Sequence, residues 1–204
     1  MNIESLAWEK MDGLIPAIVQ DSFDGRVLMQ GYMDCDALEV TLETGKVAFW
    51  SRSRQEIWIK GETSGNTLDL VDIHPDCDGD SLLIRARPEG PTCHLGKDSC
   101  YDDEEGKVTP ELAFLAQLEC VITQRNDDRP EGSYTSKLLD TGIKRIAQKV
   151  GEEGVETALA AVAGEDEELL NESADLLYHL LVLLCSRKLE LGSLVEVLKL
   201  RHGD

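Results

Sequence analysis

The chain has 204 residues, 42 % of them hydrophobic, and a formal net charge of −20. That length holds one large domain or two of roughly 100 residues each, with enough apolar side chains for a core. A field of this sign repels nucleic acid and anionic membranes, so a nucleic-acid-binding module is excluded as a reading, and an anionic small molecule would need cations placed locally.

The N-terminus, M-N-I-E-S-L-A-W-E-K, lacks the long apolar run of a secretory signal. Uninterrupted apolar runs such as Leu180 to Cys185 fall far short of the ~20 residues of a spanning helix. The expectation is a soluble cytoplasmic protein. In that compartment six cysteines argue for metal or catalytic use over disulfides.

Residues 1–20 read as a short helix followed by the entry to a strand. R-V-L-M-Q-G-Y-M-D is a strand, and D-C-D-A-L-E-V-T-L-E-T-G a helix capped by Asp34 or Asp36 and stopped by Gly45. K-V-A-F-W-S-R-S-R and Q-E-I-W-I-K-G-E are strands joined by a tight turn. T-L-D-L-V-D-I alternates as a half-buried strand does, and Ser81 to Arg87 completes the sheet. The segment D-D-E-E-G-K at 102–107, followed by Thr109-Pro110, is the linker candidate. Beyond it the segments 111–125, 137–150, 154–162, 169–184 and 194–200 have helical periodicity and no strand is evident. The predicted architecture is a strand-rich α+β metal-binding domain over 1–107 and an all-α bundle over 108–204.

Chemistry gathers between His74 and Cys100. The run H-P-D-C-D-G-D is followed, sixteen residues after Cys77, by Cys93, and seven later by Cys100. If extended, it would place Asp76, Asp78 and Asp80 on one side and Cys77 on the other. Carboxylates suit a magnesium-like ion and thiolates suit zinc, so two metal sites back to back are expected. An EF-hand loop is excluded, since Ser81 and Arg87 stand where that loop requires Gly and Glu. A solvated acidic turn and buried cysteine fillers are the plainer alternatives.

The helical half carries a second acidic set. Glu152, Glu153 and Glu156 are spaced to share one side of a helix, and Glu172 and Asp175 lie three apart on the next. The intervening A-G-E-D makes those helices antiparallel neighbours, and carboxylates meeting between them need a divalent cation. Upstream, R-N-D-D-R-P-E-G-S-Y-T-S-K-L ends in a helix start, where Arg129 and Lys137 would help form a phosphate site. Lys144, Arg145 and Lys149 follow it. Arg52, Arg54 and Lys60, near Ser64-Gly65-Asn66, are the corresponding cations of the first half.

The run F-W-S-R-S-R…W-I-K-G-E-T-S-G-N, with D-C-D-G-D and T-C-H-x-G-x-x-S-C, resembles phosphoribosyl-AMP cyclohydrolase. G-S-Y-T-S-K-L, K-V-G-E-E-G-V-E and E-S-A-D-L-L-Y-H resemble phosphoribosyl-ATP pyrophosphohydrolase of the all-α nucleotide pyrophosphohydrolase type. Their order is that of the fused family of histidine biosynthesis, over about residues 15 to 202. The resemblance implies that the C-terminal domain splits phosphoribosyl-ATP, with magnesium on Glu152, Glu153, Glu156, Glu172 and Asp175. One of these carboxylates, such as Glu153 or Glu156, would orient the water. It implies that the N-terminal domain opens the adenine ring with zinc on Cys77, Cys93 and Cys100, shared between two subunits of a homodimer. Asp76, Asp78 and Asp80 would hold magnesium. His94 would donate the proton to the leaving nitrogen, with His74 the alternative and a structural role open for both. The substrate-binding set is Arg52, Arg54, Lys60, Ser64 and Asn66 in one half, and Arg129, Ser133, Thr135 and Lys137 in the other. One departure stands out: Gly31-Tyr32-Met33-Asp34 replaces the A-Y-M-N of the pattern.

Overall fold

The computed structural model describes residues 3–102 and 110–203. The expected boundary between 107 and 108, and the linker except for Asp102, lie outside the described residues. The chain divides into two compact units, Met1–Phe114 and Leu115–Asp204.

In the first unit, two 3-10 turns at Ile3–Ser5 and Glu9–Met11 stand where one short helix was expected. There follow β1 (Ile15–Asp21), β2 (Val27–Met33), α1 (Cys35–Thr44), β3 (Ala48–Ser51), β4 (Glu56–Ile59), β5 (Leu68–Pro75) and β6 (Leu82–Pro88). Alternation in β1 sends Ile15, Ala17 and Val19 inward, and β6 does the same with Leu82, Ile84 and Ala86. The sheet runs β2-β1-β6-β5, antiparallel except for the parallel β1–β6 pair. The β3–β4 hairpin forms a second, two-stranded sheet, so the expected single sheet is two.

Asp34 settles the choice of cap for α1: its carboxylate accepts from the Ala37 amide at 2.8 Å, while Gly45, at φ 68°, ends the helix. Asn caps as well as Asp, so this half of the departure from A-Y-M-N is conservative. The other half is not. A Cβ on Gly31 would lie 2.3 Å from the Phe49 ring, which is buried and packs on Trp58. Thr41, fully buried, donates to the Ala37 carbonyl and accepts from the Ala48 amide, tying α1 to β3.

The second unit holds α2 (Ala113–Asp128, beginning just before the division), α3 (Tyr134–Asp140), α4 (Ile143–Ala163), α5 (Asp166–Ser186) and α6 (Leu191–His202). Gly142, at φ 84°, splits the expected 137–150 helix between α3 and α4. After that break α4 runs uninterrupted through Gly151 and Gly154. A two-residue connection folds α5 back along α4, and the core gathers Ile122, Leu138, Leu139, Ile146, Leu181 and Val182. By length and mean hydropathy α5 could span a membrane, which a search for unbroken apolar runs overlooks. Glu172, Asp175 and His179 and the packing on α4 account for it as a bundle helix.

Candidate active sites

The segment Asp76 to Ser81 is a turn between β5 and β6, not a strand. The back-to-back geometry expected from alternation is therefore wrong. The aspartates converge by another route: Asp76 Oδ1 accepts from the amides of Asp80 and Ser81, and Gly79, at φ 73°, permits the reversal. Ligand atoms of Asp76, Asp78 and Asp80 then lie within 4.8 Å of one another. The Lys10 ammonium sits 2.5 Å from both Asp78 and Asp80. Its hydrogen bond holds the Asp78 carboxyl below its ordinary value, and that contact in turn pushes Lys10 up. This lysine was not foreseen, being distant in sequence and without a motif. The cluster thus attracts a cation, as an anionic oxygen set should.

Cys93 is buried and Cys100 lies against it in the wall of a cavity of about 510 Å³. Burial, then the neighbouring Cys93, pushes the Cys100 thiol up, and Lys60 opposes them. Burial lowers Lys60, with the two cysteines opposing. Such a pair of thiols suits a thiophilic cation that would displace their protons. Cys77 is exposed and does not join them. Among the described residues, the sets of three ligating side chains that converge are the two carboxylate clusters.

Arg54, Lys60, Ser64, Asn66 and His94 line the same cavity, as does Thr92, whose buried hydroxyl has no hydrogen-bond partner among the described residues. The loop after β4 is tight at Gly61, φ 84°, where a Cβ would strike the Asn66 carbonyl at 2.2 Å. Lys60 donates to that carbonyl at 3.3 Å. His94 Nδ1 is 4.0 Å from Cys93 Sγ. Arg52 does not line the cavity: its guanidinium covers the Tyr32 ring at 4.0 Å. His74 is paired with Asp72, outside the cavity lining.

In the helical unit, Glu153 and Glu156 of α4 and Glu172 of α5 bring ligand atoms within 4.8 Å. Two of the five expected ligands stand apart from that set. Glu152 is engaged by Arg145 at 3.1 Å, Gln148 at 2.7 Å and Lys149 at 3.2 Å, and Asp175 is exposed and outside the group. Residues 152 and 153 are 100° apart on a helix, so one sequence run cannot send all three glutamates the same way. Glu153 is buried and bonded by Lys149, which lowers it; its hydrogen bond and then burial push Glu156 up.

His179, also buried, stands 3.7 Å from Glu153. Its Nδ1 donates to the Asp175 carbonyl at 2.8 Å, which leaves Nε2 to accept from the Tyr134 hydroxyl at 3.1 Å. Thr135 meets Tyr178 at 2.8 Å and accepts from Arg125 at 3.1 Å. The motifs G-S-Y-T-S-K-L and E-S-A-D-L-L-Y-H, 45 residues apart at Tyr134 and His179, therefore touch. His179 lay in the quoted motif four residues after Asp175, a spacing that signals a shared helix face. Ser133 caps α3 through Ser136. Arg129, expected on phosphate, is spent on Asn126, the Ser136 carbonyl and Asp140, and Lys137 is exposed.

Profiles of two families match this chain: phosphoribosyl-AMP cyclohydrolase over residues 29–102, and phosphoribosyl-ATP pyrophosphohydrolase over 115–202. The histidine biosynthesis bifunctional protein of Xanthomonas campestris is 57 % identical over 200 residues, covering 98 % of this chain and 94 % of the relative. That of Photobacterium profundum is 55 % identical over 203 residues, with 98 % of each covered. That of Escherichia coli K12 is 56 % identical over 197 residues, 97 % and 95 %. The chain belongs to the bifunctional enzymes of histidine biosynthesis, which join a cyclohydrolase domain to a pyrophosphohydrolase domain.

Proposed function

We propose that the helical unit hydrolyses phosphoribosyl-ATP to phosphoribosyl-AMP and pyrophosphate, and that the first unit then opens the adenine ring of phosphoribosyl-AMP between N1 and C6. The observation that carries the reading is the Cys93–Cys100 pair in the wall of a cavity of about 510 Å³, within the range of small-ligand sites.

Cys93 and Cys100, completed by Cys77 of a second copy of the chain, would hold zinc, which supplies a water ionising near pH 7. The separation of Cys77 from the pair supports a homodimer with shared ligands. Lys60 and Arg54 draw the phosphates into an otherwise acidic protein, and Ser64 and Asn66 offer hydrogen bonds. Water adds at C6 and the C6–N1 bond breaks. His94 gives N1 the proton it needs to leave. The aspartate turn Asp76–Asp80 would hold magnesium against the substrate's oxygens.

In the helical unit Glu153, Glu156 and Glu172 would hold magnesium, which supplies charge neutralisation along the triphosphate. We assign Glu152 and Asp175 to the rim of that site, with Lys137 on the phosphates and Ser133, Thr135 and Arg129 shaping the loop. The hydrolysis consumes one water and breaks the bond between the α- and β-phosphates. A carboxylate of the cluster orients that water. A cytoplasmic location follows from the pathway's substrates, and neither nucleic acid nor membrane is needed as a partner.

Purified protein should be given phosphoribosyl-ATP with magnesium and zinc, following pyrophosphate release and the ring-opening absorbance change separately. Cys93→Ala should abolish ring opening alone. Glu156→Ala should abolish pyrophosphate release alone, with ring opening retained when phosphoribosyl-AMP is supplied. Loss of both activities in either folded variant would sink the two-site assignment.

A further inference from the structure

Cys93 and Cys100 sit in a segment, 91–102, without helix or strand. Such a segment holds a pair of thiols in register only if other contacts fix it. Within it, the Cys93 amide donates to the Lys97 carbonyl and the Gly96 amide to that of Cys93. Those bonds shape the turn after Cys93 but do not attach Cys100 to anything. The attachment comes from β2. This strand is the edge of its sheet, paired with β1 on one side, so its other side offers unclaimed carbonyls.

Ser99, fully buried, donates its hydroxyl to the Val27 carbonyl at 2.7 Å. The same oxygen accepts from the Tyr101 amide at 3.0 Å, and the Cys100 amide donates to the Leu28 carbonyl at 2.8 Å. Arg26, one residue before β2, reaches the same segment, its guanidinium donating to Asp98 at 3.3 Å. Arg26 is itself held between Asp24, at 3.0 Å, and Asp21, at 3.9 Å, both buried.

From these contacts we infer that Ser99 is a positioning residue for the thiol pair, clamping Cys100 to the edge of β2, with Arg26–Asp98 as a second strut. The inference rests on the proposed role of Cys93 and Cys100 as metal ligands. Ser99→Ala leaves the Val27 carbonyl and the Tyr101 amide without their partner in a dry place. Partners that orient metal ligands typically govern about 10- to 100-fold in metal affinity.

The test is zinc affinity by chelator competition, together with the cobalt–thiolate charge-transfer band of the cobalt-loaded protein. Both are read on full-length protein below its unfolding temperature, with pyrophosphate release confirming an intact helical unit. Ser99→Ala should weaken zinc about tenfold or more and alter the cobalt band, and Ser99→Thr should restore much of both. Asp98→Asn, at a half-exposed position, removes the charge that strengthens the Arg26 contact and should give a smaller loss in the same direction. It decides the matter if Ser99→Ala does not fold. Wild-type zinc affinity and spectrum in folded Ser99→Ala, or in Asp98→Asn where only that variant folds, overturn the inference. A wild-type protein that binds no zinc overturns instead the reading of the cysteines as ligands.

Discussion

Glu156 shows how a carboxylate cluster stores a conflict that a cation would relieve. Its hydrogen bond to Glu153, with burial second, pushes its carboxyl above the ordinary range, the mark of negative charges brought together. Glu156→Gln removes one of those charges. The metal-free protein should unfold at a higher temperature, while kcat/KM for pyrophosphate release falls at least ~100-fold. Calorimetry and a pyrophosphate-release assay on the same preparation check both. Lys10 plays the cation's part at the other cluster, bonded to Asp78 and Asp80. A divalent ion must displace that ammonium. Lys10→Gln should therefore tighten magnesium binding at the aspartate turn by about two- to fivefold, the scale of an exposed ion pair. Isothermal titration in Glu156→Gln background isolates that site, and an unchanged or weaker affinity refutes the competition.

At the scale of elements, the contact between β2 and β3 depends on an absent methyl. Gly31 lets the Phe49 ring lie where a Cβ would be, and Phe49 is locked in the core beside Trp58. Gly31→Ala, although it restores the residue of the family pattern, should cost about 1–3 kcal/mol through overpacking. All three tryptophans, Trp8, Trp50 and Trp58, belong to the first unit, so urea unfolding followed by their fluorescence reports on it. The edge strand β5 is pinned differently, by Lys46 on Asp69 and Arg85 on Asp72. Arg85 holds the Asp72 carboxyl below its usual range. The unfolded chain therefore takes up the proton first. The stabilisation is present above the ordinary aspartate value of about 4 and is lost as pH falls through the lowered folded value. Asp72→Asn should destabilise the protein modestly at neutral pH, and the two proteins should converge in acid.

For the whole molecule, exposed apolar side chains bear on assembly. Val155, Leu159 and Val162 recur at helical spacing on α4 and are 60 %, 62 % and 87 % exposed. A stripe of that kind is costly in water and suits the proposed homodimer, in which Cys77 would complete the partner's thiol pair. Leu159→Glu should reduce the mass measured by analytical ultracentrifugation, and unchanged mass would remove the stripe from the interface.

Periodicity and composition determined the two-part organisation and most of the strands, while the motifs supplied candidates for both reaction centres, of which only some come together. Those signals are local: alternation marks strands, 3.6-residue recurrence marks helices, and each motif marks residues only within its own short run. Where local rules were extended they failed at particular places. The aspartates share a turn because Gly79 reverses the chain, and Glu152 leaves its neighbours because consecutive helical residues diverge by 100°. Arg129 serves its own loop because Asp140, eleven residues on, is brought within 2.7 Å. Lys10 on Asp78, Tyr134 on His179 and Ser99 on the edge of β2 are contacts across 45 to 72 residues, and no local pattern encodes them. For the chemistry between His74 and Cys100, sequence supplied the donors, and tertiary structure decided which of them meet within one chain and what holds them there.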